Sequence, residues 1–457
     1  MSLNETPSGE RIHIAFFGLR NAGKSSLVNA VTGQNLAIVS DVKGTTTDPV
    51  KKAMELLPLG PVVIIDTPGL DDEGELGGMR VKRAMNVLAG CDVAVLVHDA
   101  TQEFSPAEDD LLKIFDERKL PYIVANNKAD LMLSRPPSDP LSASRVPPKL
   151  GGIMGGIYVS ALTGENIQAL KEHIALLAKK DAPEKHLVAD LLTAGDIVIL
   201  VVPVDKAAPK GRLILPQQQT IRDILDAKCS CIVCQDTELP AILQAMKTRP
   251  RLVITDSQVF GKVDAVTPKD IPLTSFSILF ARYKGDLRTL VDGAMKLSGL
   301  KDGDKVLISE GCTHHRQCGD IGTEKIPAWI RKFSGARPDF AFTSGGEFPD
   351  VETLKEYALI VHCGGCMLNE QEMKSRLNRA KIAGVPIVNY GVAIAHMHGI
   401  LKRSIQPFKL SEVDELRRML EEVTRERDEL RRELEALRRT PAHTSEAVEE
   451  WFQHGFY

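Results

Sequence analysis

A glycine-rich loop near the start of the chain has the residue types that hold phosphate groups. Gly18 and Gly23 flank four residues, and Lys24 and Ser25 follow directly. Glycines let backbone N–H groups converge on phosphate oxygens, lysine adds positive charge at the β- and γ-phosphates, and serine offers a hydroxyl to Mg²⁺. The loop follows an apolar stretch, residues 12–17, and opens a predicted helix whose positive N-terminal end also attracts phosphate. This context favours a phosphate loop over a tight turn without a ligand.

Two segments farther along the chain could complete a site for Mg²⁺ and the γ-phosphate. Asp66 and Gly69 end a predicted strand in the sequence Asp-Thr-Pro-Gly. The carboxylate of Asp66 can reach Mg²⁺ through a water molecule, and the N–H of Gly69 can meet the γ-phosphate. Thr46, in the segment 44–48 before that strand, is the predicted switch ligand of Mg²⁺. We therefore expect Lys24, Thr46 and Gly69 to be catalytic.

Guanine is the base that the next two segments favour. Asn127, Lys128 and Asp130 end a predicted strand. Asp130 can accept from both N1–H and N2–H of guanine, whereas adenine lacks this donor pair and would leave the carboxylate unpaired. Ser160 and Ala161 end the following strand, where backbone N–H groups can be donated to guanine O6. The predicted nucleotide-contacting residues are Asn21, Ala22, Gly23, Lys24, Ser25, Ser26, Asp66, Asn127, Lys128, Asp130, Ser160 and Ala161.

A second group of residues, in the C-terminal half, could bind a metal centre. Cys312 and His314 follow one predicted strand, and His362, Cys363 and Cys366 follow another. Ligand sites collect at the carboxyl ends of parallel strands, and a two-residue gap lets two thiolates bind one metal centre. Three cysteines with a histidine fit tetrahedral zinc, and three thiolates also fit a 4Fe–4S cluster with one iron open. The spacing does not choose between these two, and buried reduced cysteines are the third alternative.

The remaining cysteines are predicted to be structural. Cys229, Cys231 and Cys234 lie in an apolar run typical of a strand, in which the last two would point to opposite faces of the sheet. We interpret them as thiols of the core. Cys91 and Cys318 are interpreted in the same way, although Cys318 is close enough in sequence to the first candidate ligand to serve as a spare one.

The elements that must position these residues alternate between apolar strands and amphipathic helices. Together with the nucleotide motifs, this alternation predicts an α/β protein with a doubly wound P-loop GTPase domain over residues 8–180 and two smaller α/β domains over 187–270 and 271–408. A heptad pattern over 411–439 predicts a coiled-coil-like C-terminal helix, with a single amphipathic helix docked on its own domain as the alternative. Predicted strands cover residues 12–17, 62–65, 93–97, 122–124, 157–159, 197–202, 229–234, 252–255, 306–309 and 359–362.

The composition is that of an ordinary globular protein, with 457 residues, 43% of them hydrophobic and 26% charged. The formal net charge of -4 lacks the basic excess with which proteins usually hold nucleic acid over a broad surface. No stretch approaches the roughly 20 apolar residues of a membrane span, and the first residues lack the basic-then-apolar order of a secretion signal. The expected compartment is the cytoplasm, where thiols stay reduced and disulfides do not explain the cysteines.

The nucleotide motifs resemble those of the translation-factor class of GTPases, and within it the tRNA-modification GTPase group. The shared features are Asn21 in the phosphate loop and the Gly-Thr-Thr-x-Asp sequence at 44–48. The resemblance implies that Asn21 is catalytic and helps to hold a K⁺ ion in the place of an arginine finger; an amide that stiffens the loop is the alternative. Leu70 stands where many GTPases have a water-positioning glutamine, so we expect slow hydrolysis that a cation or a partner stimulates.

The combination of domains over about residues 8–408 resembles the FeFe-hydrogenase maturation GTPases (HydF type). The resemblance rests on the GTPase motifs, on residues 209–219 and 254–258, and on the CxH…HCxxC pattern that begins within 310–315. It implies a middle domain that forms a homodimer. It also implies a scaffold or carrier on which a di-iron precursor is completed before transfer to apo FeFe-hydrogenase, with two radical-SAM maturases as upstream partners.

For the cysteine-bearing domain, the same resemblance implies a 4Fe–4S cluster. Its ligands would be Cys312, Cys363 and Cys366. The fourth iron site would be exchangeable, and His314 or His362 could contribute to it.

An RNA-associated GTPase of tRNA modification or ribosome assembly, with a zinc-binding module, is the alternative function. The phosphate loop supports it, whereas the acidic balance and the lack of a recognisable RNA-binding module oppose it. A third reading keeps GTP as a bound ligand that stabilises the fold without turnover. A brown protein would favour iron and sulfide, a colourless zinc protein would contradict the maturation scaffold, and salt-dependent RNA binding would favour the RNA-associated alternative.

Overall fold

The computed structural model describes residues 6–34, 49–69, 84–132, 156–178, 185–203, 213–311 and 320–410, together with Arg427. The chain divides into two compact units, residues 1–404 and 405–457, and all three described sheets lie in the first. Within the described part of the chain, no helix is both long enough and apolar enough to cross a membrane. The predictions for Thr46, Leu70, Cys312, His314, Cys318 and, apart from Arg427, the heptad segment 411–439 lie outside the described residues.

The first sheet has six strands in the order β2-β3-β1-β4-β5-β6. All neighbouring pairs are parallel except β2 with β3. The strands are β1 (Ile12–Phe17), β2 (Val50–Leu56), β3 (Gly60–Asp66), β4 (Val93–Asp99), β5 (Tyr122–Asn127) and β6 (Ile157–Tyr158). The doubly wound GTPase fold predicted from the sequence is confirmed.

Both faces of the central strands are buried, which explains why these strands are mostly apolar, apart from residues such as His13 in β1. Phe16 packs into a core cluster with Leu27 and Ile174 on one face. Its neighbour Phe17 points to the other face, where its ring lies 5.6 Å from that of Phe115. The predicted phosphate loop and the other nucleotide motifs follow the carboxyl ends of parallel strands, so they meet at one edge of the sheet.

The second sheet is fully parallel, with strand order β10-β9-β7-β8. Its strands are β7 (Ile197–Val201), β8 (Ser230–Cys234), β9 (Leu252–Thr255) and β10 (Leu273–Ser275). Because β10 pairs with β9, the boundary predicted after residue 270 falls before the last strand of this sheet. The apolar stretch 276–280 belongs to the helix Phe276–Lys284, which follows β10 directly.

The third sheet is also parallel, with strand order β12-β11-β13-β14. Its strands are β11 (Lys305–Glu310), β12 (Asp339–Ser344), β13 (Leu359–His362) and β14 (Ile387–Asn389). The two central strands carry the predicted cysteine motifs at their carboxyl ends. Neither β12 nor β14 was among the predicted strands.

Helices connect the strands and cover the sheets. Ser105 shows why one of them begins where it does: its side chain accepts a hydrogen bond from the Glu108 N–H, and Pro106 occupies the first helical position. The helices are Lys24–Thr32, Pro106–Glu117, Ile167–Ala178, Leu215–Asp226, Leu239–Ala245, Phe260–Val266, Phe276–Lys284, Leu287–Ala294, Ile326–Ser334, Val351–Leu354, Glu370–Ala383, Tyr390–Met397 and Leu401–Ile405.

Candidate nucleotide and cluster sites

The phosphate loop needs its two glycines because other parts of the chain approach them closely. Gly18 has φ of 148°, and a Cβ there would lie 2.2 Å from the Val97 carbonyl oxygen. Gly23 has φ of 87°, and a Cβ there would lie 2.3 Å from Nδ2 of Asn127. Side chains at either position would displace the loop from the sheet edge.

The ammonium group of Lys24 is buried and held by the backbone of the same loop. Its Nζ donates hydrogen bonds of 3.0 Å to the Gly18 carbonyl oxygen and 2.6 Å to that of Leu19. The positive charge is therefore fixed at the loop, beside the first turn of the helix Lys24–Thr32. Backbone N–H groups, a helix N-terminus and a fixed cation together form a site for phosphate.

Ser25 and Asp66 form the part of the site that suits Mg²⁺. Ser25 Oγ donates a hydrogen bond of 2.7 Å to Oδ2 of Asp66. The other carboxylate oxygen of Asp66, Oδ1, is buried and has no hydrogen-bond partner among the described residues. Burial raises the pKa of Asp66, while the Ser25 hydrogen bond and the Lys24 charge lower it. A hydroxyl beside an unsatisfied carboxylate oxygen is a donor set that fits a hydrated Mg²⁺.

The Asp-Thr-Pro-Gly segment is tied to the phosphate loop and its strand. Thr67 donates from both its backbone N–H (3.3 Å) and its hydroxyl (2.7 Å) to the Phe16 carbonyl oxygen. A Cβ on Gly69 would lie 3.0 Å from the backbone nitrogen of Arg20 in the phosphate loop. Gly69 thus lies against the loop, where its N–H can face a γ-phosphate.

Asn127 connects the phosphate loop with the base-binding segments. Its Nδ2 donates to the Ala22 carbonyl oxygen at 3.0 Å, and its Oδ1 accepts from the Ala161 N–H at 3.0 Å. One buried amide therefore holds three predicted motifs together. Ala22 itself is buried, and Ser26 is half-buried in the first turn of the helix.

Asp130 and Lys128 lie at the carboxyl end of β5. Asp130 is exposed, and its Oδ1 accepts a hydrogen bond of 2.5 Å from Ser160 Oγ. Lys128 Nζ donates to Oδ2 of Asp99 at 2.6 Å. Burial would raise the pKa of Asp99, but the hydrogen bonds from Lys128 and Thr101 outweigh it and hold that pKa below its usual value. The carboxylate of Asp130 is oriented by Ser160 and open to a base.

Asn21 occupies the left-handed region of backbone space, with φ of 62°, and its side chain is exposed. Asparagine tolerates this conformation better than most residues, so the turn alone gives a reason for it. Its amide makes no hydrogen bond to any described residue. The exposure of the amide fits the cation-holding role, and the backbone conformation fits the loop-stiffening role.

The two cysteine-bearing segments leave neighbouring strands at the same edge of the third sheet. Ser309 of β11 pairs in register with His362 of β13, and Cys363 follows. Gly311 donates its backbone N–H to Cys363 Sγ at 3.0 Å, and Gly365 donates at 3.4 Å. The residue that precedes Cys312 in the chain is thus in contact with Cys363.

The sulfurs of this turn lie in surroundings that favour the neutral thiol over the thiolate, and Cys363 Sγ accepts backbone hydrogen bonds. Burial raises the pKa of Cys363 to about 11, against the opposing effect of the Gly311 and Gly365 N–H groups. Burial also raises the pKa of Cys366, and the charge of Lys284 opposes it. Such sulfurs become thiolates when a metal centre supplies positive charge, and N–H donors to sulfur suit a bound cluster. No group of three potential metal ligands converges within the described ranges, which do not include Cys312 and His314.

His362 is fully buried, and both of its ring nitrogens are in use. Nδ1 lies 2.7 Å from the Cys363 carbonyl oxygen, so it carries the proton, and Nε2 accepts from Arg376 Nη1 at 3.0 Å. Burial and the Arg376 charge lower the pKa of His362 to about 3. The ring supports the backbone of the cysteine turn, and binding a metal would require it to give up one of these bonds.

Three residues that the sequence analysis missed hold this turn in place. Lys284 donates to the carbonyl oxygens of Cys366 (3.1 Å) and Leu368 (2.8 Å). Asn369 caps the helix Glu370–Ala383, and Arg376 lies buried beside His362. A lysine at the end of an apolar helix, such as Lys284, is the kind of signal that could have indicated a buried polar role.

The other described cysteines lie outside this turn. Cys91, Cys229 and Cys234 are buried, and Cys231 is half-buried in β8. The thiol of Cys91 donates to the Val93 carbonyl oxygen at 3.0 Å. Burial raises the pKa of Cys91, Cys231 and Cys234, which suits neutral core thiols.

Three family models match the chain in succession. Residues 13–128 match the model described as 50S ribosome-binding GTPase. Residues 187–285 match the hydrogen maturase F dimerization domain, and residues 288–407 match the hydrogen maturase F tetramerization domain. The chain belongs to the HydF-type hydrogen maturase GTPases. The two maturase domains of this HydF-type chain support its assembly into oligomers.

Curated relatives match the GTPase part of this HydF-type chain. GTPase Der of Wolinella succinogenes is 34% identical over 175 residues, which cover 38% of this chain and 36% of the relative. The tRNA modification GTPase MnmE of Leptothrix cholodnii is 34% identical over 195 residues, which cover 39% of this chain and 38% of the relative. The chain therefore spans little more than a third of the length of each. The predicted similarity to the tRNA-modification group is confirmed for the GTPase domain.

Among solved structures, Era from Aquifex aeolicus aligns with a TM-score of 0.31 and 20% identity, over 51% of this chain and 98% of that one. The G domain of the Thermotoga maritima iron transporter FeoB aligns with a TM-score of 0.27 and 25% identity, over 37% of this chain and 100% of that one. The assignment of the GTPase domain rests on the family model and on the site geometry described above.

Proposed function

We propose that this chain hydrolyses GTP to GDP and phosphate and serves as a scaffold that carries a 4Fe–4S cluster. The cluster would be bound by Cys312, Cys363 and Cys366, with a fourth position left exchangeable. On this scaffold a di-iron precursor, supplied by two radical-SAM maturases, would be completed and transferred to apo FeFe-hydrogenase in the cytoplasm. The observation that carries the cluster proposal is the 3.0 Å contact from the Gly311 N–H to Cys363 Sγ, because Gly311 is bonded to Cys312.

Hydrolysis would take place at the edge of the first sheet. A water oxygen forms a bond to the γ-phosphorus while the bond from that phosphorus to the GDP oxygen breaks. Bound Mg²⁺ would neutralise charge on the β- and γ-phosphate oxygens, held by Ser25, Asp66 through water, and Thr46. Lys24 adds the fixed cation at the phosphates, and the Gly69 N–H faces the γ-phosphate. Asp130 reads the guanine edge.

Asn21 would hold a K⁺ ion near the phosphates, and this proposal rests on its exposed amide and on the similarity of the GTPase domain to MnmE. Phosphate release is expected to be slow in Na⁺ and faster in K⁺. Asn21→Ala should remove the difference between the two salts while nucleotide affinity changes little. Equal rates in both salts for the unchanged protein would contradict the K⁺ proposal.

The cluster proposal gives the two histidines different roles. His362 would support the turn rather than bind iron, because both of its ring nitrogens already have partners. His314 or an exchangeable external ligand would then occupy the fourth position. For assembly, we propose a homodimer through the dimerization domain, 187–285, with the tetramerization domain, 288–407, extending it.

The experiment that tests the cluster is anaerobic reconstitution with iron and sulfide. Cys312→Ser, Cys363→Ser and Cys366→Ser should each lose most of the bound iron, sulfide and brown colour. Cys231→Ser, a half-buried thiol of the second sheet, is the matched control and should retain all three. A colourless protein that binds zinc instead would overturn the proposal.

The carrier role is tested by maturation of an apo-hydrogenase in a cell-free mixture. Hydrogenase activity should appear with this chain and the two upstream maturases, and should be absent when this chain is left out. Activity that is independent of this chain would remove the carrier role while leaving the GTPase proposal standing.

A further inference from the structure

The cysteine turn, residues 363–369, follows β13 of the third sheet and contacts the GTPase domain. The contacted end of that domain is the one far from the phosphate loop. The turn is held near Glu10, two residues before the start of β1, whereas the phosphate loop follows the last residue of β1. Six extended residues separate the two ends by about 20 Å. Any influence of the nucleotide on the turn therefore has to be carried by contacts between the domains.

The first contact joins the turn to the segment that follows the Asp-Thr-Pro-Gly motif. Asn369 Nδ2 donates a hydrogen bond of 2.7 Å to the Gly90 carbonyl oxygen. Gly90 ends the helical residues 84–89, the first described residues after Gly69. Asn369 is buried, and its Oδ1 accepts from the Glu372 N–H at 3.0 Å. One side chain thus caps the helix Glu370–Ala383 and also forms a hydrogen bond to the GTPase domain.

The second contact joins the turn to Glu10, which ends the short 3-10 helix Ser8–Glu10 just before β1. Lys284 Nζ, which is almost wholly buried, lies 3.1 Å from Oε1 of Glu10 and donates to the Cys366 and Leu368 carbonyl oxygens. Tyr283 Oη adds a hydrogen bond of 3.2 Å to Oε2 of Glu10. Because Glu10 lies only two residues before β1, a central strand of the first sheet, this contact is a fixed support.

The space beside the first contact is not filled. A cleft of about 990 Å³ opens between the two domains. On one side it is lined by residues of the 84–91 segment, such as Met85 and Leu88, and on the other by residues of the helix Glu370–Ala383, such as Ser375 and Arg379. The helical residues 84–89 therefore border open space on the side of that helix, whereas β1 is packed between β3 and β4.

We propose that Asn369 is a positioning residue that transmits the nucleotide state of the GTPase domain to the cysteine turn. In P-loop GTPases, the segment after the Asp-x-x-Gly motif changes its arrangement when the γ-phosphate is lost. A shift of residues 84–90 moves Asn369 through its hydrogen bond to the Gly90 carbonyl oxygen, while Lys284 keeps the other side of the turn fixed. This inference rests on the proposed GTPase function, and it makes the bound nucleotide a regulator of the cluster-bearing turn.

The test compares hydrogen exchange of peptides spanning 363–369 in the metal-free full chain, with GDP and with a non-hydrolysable GTP analogue. The unchanged protein should show a nucleotide-dependent difference of about fivefold, which corresponds to one interdomain hydrogen bond. Asn369→Asp keeps the helix cap but replaces the amide donor by a carboxylate that repels the Gly90 carbonyl. It should lose the difference.

Gly90→Ala is the matched control, because its Cβ would lie 3.4 Å from the Glu372 carboxylate and the carbonyl acceptor is kept. It should retain the difference. Gly90→Leu places a large side chain between the GTPase domain and the helix Glu370–Ala383, and it should lose the exchange difference. Because this variant alters the GTPase domain and Asn369→Asp alters the other domain, the test does not depend on the folding of a single variant. A difference that persists in both disrupting variants, or that is absent from the unchanged protein, would overturn the inference. Failure of the cluster proposal would show separately, as failed reconstitution with the exchange difference intact.

Discussion

Ser25 Oγ lies 2.7 Å from Oδ2 of Asp66, at the meeting point of the phosphate loop and β3. The two residues are 41 positions apart in the chain and become neighbours because β1 and β3 are adjacent parallel strands. The same pairing leaves Asp66 Oδ1 buried and without a partner among the described residues. A buried oxygen without a hydrogen-bond partner costs free energy, and a hydrated cation that binds there offsets this cost by supplying the partner.

Replacing Ser25 by alanine should abolish most Mg²⁺-dependent turnover. The change removes the hydroxyl donor and leaves a second buried oxygen of Asp66 without a partner. We expect phosphate release to fall at least about 100-fold. Ser25→Thr keeps the hydroxyl and should retain most of the rate. Phosphate release at saturating GTP over a Mg²⁺ titration is the measurement, and normal turnover by the alanine variant would contradict the assignment.

Asp130→Asn should change the base that the chain prefers. The carboxylate accepts from two guanine N–H groups, and an amide in its place can offer only one acceptor. GTP affinity should fall at least about 100-fold. Xanthine has an oxygen where guanine has its amino group, so the variant should bind xanthosine triphosphate more tightly than GTP. Competition between the two nucleotides, measured by equilibrium binding, checks this.

Ser160→Ala provides the graded control for that experiment. It removes the 2.5 Å hydrogen bond to Asp130 but keeps the carboxylate. GTP affinity should fall only about fivefold, the loss expected for one orienting hydrogen bond, and the preference for guanine should remain. A variant that switched to xanthosine triphosphate would show that Asp130 is not the residue that reads the base.

The parts of the fold that could be predicted are those whose pattern is local. β1, β4, β9 and β13 are mostly buried on both faces, so they form largely apolar runs that stand out in the sequence. The edge strands β2 and β12 carry half-exposed and polar residues, and β14 is only three residues long. Such strands form because a neighbour offers hydrogen bonds, and that partner is not visible in their own sequence.

The candidate sites also contain residues that the sequence alone indicates and contacts that it does not. Phosphate and base motifs are short, so the identities of Lys24, Ser25 and Asp130 already indicate their chemistry. The contacts that hold the cysteine turn are made between distant residues, as between Asn369 and Gly90, which are 279 positions apart. An asparagine before a helix predicts a cap, but nothing in the sequence indicates that its second amide atom reaches another domain.

The stability of the GTPase domain should depend on pH through His13. This half-buried side chain of β1 lies 3.0 Å from the Ser8 carbonyl oxygen. Burial lowers its pKa, and it outweighs the Ser8 hydrogen bond and the Asp92 charge, which raise the pKa. The unfolded chain therefore binds a proton below about pH 6.5 that the folded chain does not. Stability is lost as the pH falls through that range, with a slope of at most about 1.4 kcal/mol per pH unit.

His13→Gln should reduce this slope, because glutamine does not titrate and can still donate to the Ser8 carbonyl. Urea unfolding curves of both proteins from about pH 7.5 to about pH 5.5 provide the comparison. The two proteins should differ little in slope above the titration range and diverge below it. Curves that stay parallel throughout would show that His13 contributes no pH dependence.

Arg376 should be the most costly side chain to remove near the cysteine turn. It is wholly buried and donates to Glu372 Oε1 (2.9 Å), His362 Nε2 (3.0 Å) and the Gly345 carbonyl oxygen (2.6 Å). Arg376→Ala would leave these three acceptors without a donor and create a cavity beside Phe348, over whose ring the guanidinium lies at 5.1 Å. We expect a loss of about 3 to 5 kcal/mol in the free energy of unfolding.

Lys374→Ala on the same helix is the control, because its partner is a surface carboxylate, Glu370, and the lysine is 55% exposed. Its effect should stay within about 0.5 kcal/mol. Arg376→Lys keeps the charge but cannot reach three acceptors at once, so its stability should fall between those of the alanine variant and the unchanged protein. If Arg376→Ala unfolded at the same urea concentration as Lys374→Ala, the buried arginine would not be what holds His362 and the turn behind it.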